Sequence, residues 1–237
     1  EKGVVVPPKS HVGLDIGTGA SCIYPLLFVT YVTQQQQDGE ETNSLSGSWN
    51  MLATEVDAVS ASAARANVQA NQLQDKIHVV LVKPTDAQQQ EEQLSATTET
   101  KLEKDFRLDH PADLKSANQL SSSSSNSLRA RGPIACAMEA TLSDEAPSWL
   151  DPATISDHDA EKGQRRFDFC MTNPPFYDSA DAEATTRQRM DDRSRTPMTL
   201  SEGTYPKGEV GFVLDMVRDS LYYRTDISWY TTMVGKK

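Results

Sequence analysis

The sequence is poor in cysteine, histidine and long apolar runs, and each shortage excludes a class of protein. The three cysteines, Cys22, Cys136 and Cys170, are odd in number and far apart, which fits a reducing compartment and no disulfide scaffold. The four histidines are scattered, so we expect no metal site. No apolar run reaches the ~18 residues of a membrane span, and the first residues lack a secretory apolar stretch. We therefore expect a chain that is neither secreted nor membrane-bound.

Apolar residues are scarce as well. Only 37% of the 237 residues are hydrophobic, and the mean hydropathy is −0.55, which is low for a chain packed throughout. The formal net charge of −11 argues mildly against a broad electrostatic grip on nucleic acid. A solvated acidic insertion can mask a basic surface elsewhere, so this class of partner stays open.

Two low-complexity tracts account for much of the missing apolar content. Residues 33–48 are rich in Gln and Ser, and residues 86–165 contain a run of three glutamines and a run of five serines. Such composition buries too little apolar surface to offset the entropy of ordering. We interpret both tracts as insertions into surface loops of a single domain that spans residues 1–237.

Outside these tracts, strand-like and helix-like segments alternate. This pattern predicts βαβ units and an α/β fold with a parallel sheet of at least five strands. In such sheets, ligands bind beyond the carboxyl ends of the strands, where the strand order switches. The predicted strands lie at residues 11–17, 50–57, 76–83, 167–173 and 227–234, and the predicted helices at 20–32, 58–73 and 208–223.

The first motif at a strand end is "DIGTGAS", Asp15 to Ser21. A strand runs into a turn of small residues and then into a helix. Glycines allow the tight bend and let a ligand approach the backbone amides. The third glycine of the dinucleotide fingerprint is absent, and a tight structural turn explains this motif alone equally well.

The second motif, "TEVD", follows the second predicted strand. An acid at this position can accept hydrogen bonds from both ribose hydroxyls of a nucleoside cofactor. An acid just before a helix is more often its N-cap. We therefore predict that Glu55 contacts the ribose and that Asp57 caps the helix.

The third motif is "FDFCMTNPPF", a strand that ends in a rigid corner at Asn173, Pro174, Pro175 and Phe176. Proline fixes φ, and it pushes the residue before it into an extended shape. The Asn173 side-chain oxygen and the Pro174 carbonyl can both accept hydrogen bonds from one planar NH2 group, while Phe176 stacks on the attached ring. We predict an amine clamp; the alternative is a strand end terminated by proline.

These residues resemble a known family. "DIGTGASCIYPLL", "ATEVD" and "DFCMTNPPF" are similar to the adenine-N6 RNA methyltransferases that modify U6 spliceosomal RNA in eukaryotes, which are relatives of the bacterial large-subunit rRNA adenine-N6 enzymes. "GEVGFVLDMVRDSL" and "WYTTMVGKK" extend the similarity to the last residues. The resemblance implies a Rossmann-like class I methyltransferase sheet, S-adenosylmethionine as cofactor, a structured RNA with an exposed adenine as partner, and a nuclear location.

The resemblance also implies roles for individual residues. Asn173 to Phe176 would hold the target adenine. A cofactor contact after the third strand would fall at Thr85 or Asp86. The cofactor would be contacted by Asp15, Gly17, Gly19, Ser21, Glu55, Asn173 and one of these two residues.

The loop after the corner and the last two residues are basic. Arginines on a loop at this place suit phosphates, although Asp191 and Asp192 also fit a solvated loop. By the same resemblance, an upstream RNA-binding region and the last strands of the sheet are missing from this sequence. The predicted RNA-binding residues are Arg187, Arg189, Arg193, Arg195, Lys236 and Lys237.

Other functions share parts of this pattern. The Asn-Pro-Pro-aromatic corner also serves enzymes that methylate adenine in DNA or glutamine in proteins. An inactive RNA-binding remnant is a further alternative. The methyltransferases differ from one another in the acceptor that receives the methyl group. The remnant differs from all of them because it is not expected to bind the cofactor.

Overall fold

Strands and helices alternate along the chain. The computed structural model describes residues 10–37, 47–82, 132–142, 146–150, 166–177 and 204–235. The elements in chain order are β1 (Ser10–Ile16), α1 (Ile23–Gln37), β2 (Ser48–Glu55), α2 (Ala58–Ala70), β3 (Ile77–Leu81), α3 (Pro133–Ala140), β4 (Phe167–Thr172), α4 (Gly208–Tyr223) and β5 (Ile227–Tyr230).

The strands form one sheet in the order β3-β2-β1-β4-β5. Each neighbouring pair is parallel, so the predicted parallel sheet of five strands is confirmed. The strand β1 lies at the centre, with β2 on one side and β4 on the other. The strand order reverses between β1 and β4, and a crevice for a ligand is expected at the carboxyl ends of these two strands.

Apolar side chains cover both faces of the sheet. On one face Met51 and Ala53 of β2 pack with Val29 of α1 and with Ala61 and Ala64 of α2. On the other face the strands pack against α3 and α4, in a cluster that includes Leu14, Leu52, Ile134, Phe212 and Met216. Because β1 and β2 are buried on both faces, they read as near-continuous apolar runs, as strands of a parallel sheet do.

The expected insertion at residues 86–165 needs correction at its distal part. Helix α3 lies inside that range, yet Ile134 and Ala137 are fully buried and Met138 is nearly so. Asp219 of α4 caps this helix, because its carboxylate accepts the backbone N–H of Gly132 and of Ala135. The described residues all belong to one unit, Glu1–Lys83 with Gly132–Lys237; the second unit, Pro84–Arg131, lies outside them.

The smaller insertion, expected at residues 33–48, is also shorter than predicted. Helix α1 runs to Gln37 and β2 begins at Ser48. Glutamine has a good helix propensity, so the helix continues after its apolar pattern ends. Residues 38–46 lie outside the described part of the chain. In the described ranges, no helix is long and apolar enough to cross a membrane.

Gly13 makes room for a ring in the middle of β1, and its replacement tests the packing of the sheet. A Cβ atom at Gly13 would lie 2.5 Å from Cζ of Phe169 and closer still to the sulfur of Met51. We expect Gly13→Ala to lower the free energy of unfolding by about 2 kcal/mol, a typical cost of overpacking. Urea denaturation of the two proteins measures this difference.

The matched control removes the obstructing ring. In a Phe169→Leu background, Gly13→Ala should be less destabilising than in the natural protein, because contacting residues are not additive. Equal losses in both backgrounds would contradict this account of Gly13.

Candidate active site

The three predicted motifs meet at one edge of the sheet. The backbone N–H groups of Gly17 and Thr18 donate to the Thr54 carbonyl of β2 at 3.0 and 2.9 Å. On the other side, the Thr172 hydroxyl of β4 donates to the Ile16 carbonyl at 2.7 Å. The glycine turn is therefore anchored to both neighbouring strands, and it lies at the point where the strand order reverses.

The turn after β1 presents an open backbone surface. Gly17 and Gly19 have φ of 72° and 65°, which L side chains rarely adopt. Nothing lies within 4 Å of the position that a Cβ of Gly17 would occupy. Ser21 is exposed, and the Asn67 side chain donates to the Ala20 carbonyl at 3.0 Å. The turn is thus held from behind by α2, and its outer surface has room for a ligand.

Glu55 holds this turn to the end of β2. Its carboxylate accepts the N–H of Gly19 at 2.9 Å, of Val56 at 2.8 Å and of Asp57 at 3.0 Å. The residue is only 2% exposed. The predicted cap at Asp57 is confirmed, since its side chain accepts the Ser60 N–H at 2.7 Å. Glu55 therefore organises two loops, a role that the sequence pattern did not reveal.

This arrangement limits how Glu55 can bind a ribose. A carboxylate offers roughly four acceptor positions, and at least three receive backbone N–H groups here. To accept hydrogen bonds from both hydroxyl groups of a ribose, Glu55 must give up one of its hydrogen bonds to the backbone. The ribose contact remains a prediction.

Asp15 is a fully buried acid at the end of β1. Neither carboxylate oxygen has a hydrogen-bond partner in the described part of the chain, although the Thr18 side chain is close enough to influence it. Burial raises the pKa of Asp15 from its ordinary value of 3.8 to about 7; the Thr18 side chain lowers it and the Glu55 carboxylate raises it. A positively charged ligand group nearby would favour the ionised form of this acid.

The raised pKa predicts how Asp15 affects stability. The folded protein holds this proton up to about pH 7, whereas the unfolded chain releases it near 3.8. Stability from this group is therefore complete below about pH 4 and is lost as the pH rises toward 7. Asp15→Asn removes the loss, so its stability relative to the natural protein should rise by roughly 2–3 kcal/mol from pH 5 to pH 8.

Urea denaturation at several pH values checks this. Burial also raises the pKa of Asp219, to about 6, so this residue makes stability fall with rising pH as well. Asp219 is present in both proteins, and its effect cancels in the difference between them. The difference between the two proteins thus isolates Asp15. A difference that does not depend on pH would contradict the assignment.

The corner after β4 carries an enclosed acceptor. The Oδ1 atom of Asn173 is buried and has no hydrogen-bond partner among the described residues. Pro174 is fully buried, while Pro175 and Phe176 are half-buried. A buried acceptor left unpaired is costly unless a ligand completes it. We therefore expect a hydrogen-bond donor to complete this acceptor.

Several predicted site residues cannot be placed. Thr85 and Asp86, the arginines 187, 189, 193 and 195, and the lysines 236 and 237 lie outside the described residues. Among the side chains that the structure describes, no group of three or more His, Cys, Asp or Glu could hold a metal ion. The sequence analysis missed Glu209, a buried acid in the first turn of α4. The feature that could have drawn attention to it is its position at the start of a helix, directly after a glycine.

The fold and the site together define a class of protein. A parallel sheet of order 3-2-1-4-5 brings a glycine turn, a strand-end acid and an Asn-Pro-Pro-Phe corner to one edge. This is the arrangement of a Rossmann-like class I methyltransferase.

Comparison with known proteins gives the family. A family model described as RNA methyltransferase matches residues 5–131 and 153–237, so the chain belongs to the RNA methyltransferase family. It is 28% identical over 230 residues to the RNA N(6)-adenosine-methyltransferase METTL16 of Mus musculus, covering 95% of this chain and 27% of that protein. It is 25% identical over 234 residues to the U6 small nuclear RNA (adenine-(43)-N(6))-methyltransferase of Schizosaccharomyces pombe, covering 97% and 37%.

A bacterial relative and a solved structure are also similar. The ribosomal RNA large subunit methyltransferase F of Flavobacterium johnsoniae is 33% identical over 84 residues, which are 30% of this chain and 27% of that protein. The crystal structure of the hMettl16 catalytic domain in complex with the MAT2A 3'UTR hairpin 1 is 27% identical, with coverage of 96% and 51% and a TM-score of 0.46. The matched part of the chain spans 27% to 37% of the length of these curated relatives.

Proposed function

We propose that this chain carries the methyltransferase site of an RNA adenine-N6 methyltransferase that uses S-adenosylmethionine and acts on a structured target of the U6 or ribosomal RNA type. The observation that carries this proposal is the Oδ1 atom of Asn173, which is buried and has no hydrogen-bond partner among the described residues. It lies directly after β4, which pairs with β1 and is tied to the glycine turn through Thr172. Family membership and the names of the relatives support the RNA substrate.

The corner fits the exocyclic amine of an adenine. The Asn173 oxygen accepts one N–H, the Pro174 carbonyl accepts the other, and Phe176 packs on the purine ring. Two acceptors in the plane of the NH2 group leave the nitrogen lone pair perpendicular to that plane. The lone pair then points at the methyl donor. The adenine must first be turned out of its stack to reach the corner.

The opposite side of the site fits the cofactor. S-adenosylmethionine, when bound, supplies a methyl group on a positively charged sulfur. The open surface at Gly17 accommodates it. The positive charges of the cofactor favour the ionised form of the buried Asp15 carboxyl, which then stabilises them. Glu55 reaches the ribose once a backbone hydrogen bond is exchanged. Gly19 and Ser21 complete the turn, and Thr85 or Asp86 is proposed to contact the cofactor. Alignment of amine and methyl carbon is the main task of such a site.

Binding of the rest of the RNA is assigned to basic residues. Phosphate contacts supply most of the affinity in such complexes and make it depend on salt. We assign these contacts to the basic residues beyond the corner and at the end of the chain, and the U6-type target favours a nuclear location. The proposed residues are Arg187, Arg189, Arg193, Arg195, Lys236 and Lys237.

The acceptor class is tested with labelled cofactor. The full-length protein is incubated with a U6-like RNA hairpin, the same hairpin as DNA, and a glutamine-containing peptide. We expect label on the RNA, recovered as N6-methyladenosine. Label on DNA or peptide would replace RNA as the substrate, and RNA binding without cofactor binding in calorimetry would identify an inactive remnant.

A further inference from the structure

Three chain segments meet beside Phe176. The chain continues along β4 after β5 ends, because the N–H groups of Thr231 and Met233 donate to the carbonyls of Cys170 and Thr172, each at 3.0 Å. These hydrogen bonds place residues 231–235 alongside the last residues of β4 and beyond its end. The C-terminal segment therefore reaches the Asn-Pro-Pro-Phe corner.

Gly235 lies against the ring of Phe176. A Cβ atom on Gly235 would lie 2.9 Å from Cε1 and 3.6 Å from Cδ1 of Phe176. Real Cβ atoms are almost never found at the shorter distance, so any side chain at this position would have to move the ring. The backbone of Gly235 thus forms a wall against one edge of Phe176.

The third segment is the start of α4, which holds this wall in place. The Glu209 carboxylate accepts the N–H of Gly235 at 2.9 Å, and Glu209 is only 5% exposed. This hydrogen bond joins residues 26 positions apart, so it is a tertiary anchor and not a local helix cap.

The start of α4 is itself tied to the corner. Tyr177 pairs with Thr204 in an isolated bridge, and the Tyr205 N–H donates to the Tyr177 carbonyl at 3.0 Å. Lys207 and Gly208 then adopt φ of 63° and 61° to turn the chain into the helix. A non-glycine residue at positive φ is strained and persists only where its surroundings enforce it. These contacts therefore fix the position of Glu209 beside Phe176.

We propose that Glu209 is a positioning residue: by anchoring Gly235, it keeps the C-terminal segment against Phe176 and sets the ring at the angle that stacks on the target adenine. This inference rests on the proposed function, since the ring matters as the wall of the adenine site. In this proposal Glu209 acts through Gly235 and Phe176, and its role does not require contact with the cofactor or the base.

Three variants of the full-length protein separate this role from a merely structural one. We expect Glu209→Ala and Gly235→Ala to lower kcat at least tenfold, since a misplacement of about 1 Å can reduce a rate a hundredfold. The affinity for S-adenosylmethionine should change less than about twofold, because the cofactor residues lie on other loops. Glu209→Gln keeps an acceptor oxygen for the Gly235 N–H and should retain most of kcat.

A double-variant comparison shows whether the effect passes through the ring. In a Phe176→Ala background, Gly235→Ala should change kcat little further, because the two residues act as one unit. Full additivity, an unchanged kcat in Glu209→Ala, or an equal defect in Glu209→Gln would overturn the inference.

A second readout does not depend on activity. Hydrogen exchange of the Gly235 N–H should accelerate in Glu209→Ala but not in Glu209→Gln. If the natural protein transfers no methyl group to RNA, the proposed function fails, whereas the exchange rates still decide whether Glu209 anchors Gly235. Unchanged exchange in Glu209→Ala would overturn the anchor.

Discussion

Asn173→Ala should lower methyl transfer to RNA by about a hundredfold while cofactor affinity stays close to normal. The Asn173 oxygen is buried and has no partner in the described part of the chain, so we assign its hydrogen bond to the acceptor amine. Loss of one well-placed partner in a closed site removes on the order of 3 kcal/mol of transition-state stabilisation. Single-turnover kinetics with saturating cofactor measure the rate, and calorimetry measures the affinity.

Asn50 offers a matched control for this change. It is 5% exposed and lies near the amino end of β2, where its amide group contacts Ser10. Asn50→Ala therefore removes a buried amide at the opposite end of the sheet. It should leave transfer per folded molecule unchanged. Equal losses in both variants would mean that Asn173 supports the fold and not the reaction.

Glu55→Ala should have the opposite effect, weakening cofactor binding by about a hundredfold or more. Three backbone N–H groups lose a charged acceptor together, and such hydrogen bonds contribute roughly 1.5–3 kcal/mol each. The turn at Gly19 is then no longer held to the end of β2. Because the corner at Asn173 is untouched, the rate at saturating cofactor should change only a few-fold.

The matched variant for this prediction is Glu55→Gln. It keeps one acceptor oxygen and loses the charge, so its cofactor affinity should lie between those of the natural protein and Glu55→Ala. Titration of cofactor by calorimetry orders the three proteins. A normal affinity in Glu55→Ala, combined with a reduced rate at saturation, would contradict the division of roles between Glu55 and Asn173.

Much of the fold could be predicted from local pattern. The predicted bounds of α4, residues 208–223, agree with the structure, because its apolar residues recur at helical spacing and an acidic residue, Glu209, stands in its first turn. The strands were recognised as apolar runs bounded by glycine or proline. Their buried faces follow from helices packed on both sides of the sheet.

Helix α3 was missed because its support comes from far along the chain. Its eight residues stand next to a serine-rich tract, and composition averaged over that region predicts an unpacked segment. The carboxylate that caps it belongs to Asp219, 84 to 87 residues away. A short helix stabilised by tertiary contacts has little signal of its own.

The site was predictable in its residue types but not in its contacts. Asn173 and the glycine turn stand out because proline and glycine constrain the backbone visibly. The three hydrogen bonds of Glu55 and the anchor between Glu209 and Gly235 depend on how loops fold onto one another. No spacing in the sequence records such contacts.

The most direct test compares two RNA hairpins that differ by one amine. One carries adenine at the target position and the other carries purine, which lacks the exocyclic NH2 group. Binding of each is measured for the natural protein and for Asn173→Ala, with S-adenosylhomocysteine present so that no reaction occurs. We predict that the natural protein prefers the adenine hairpin by at least about tenfold, since one hydrogen bond typically contributes about that factor. Asn173→Ala should lose most of this preference, because only the Pro174 carbonyl remains to accept from the amine. The same preference in both proteins would contradict the claim that Asn173 holds the amine.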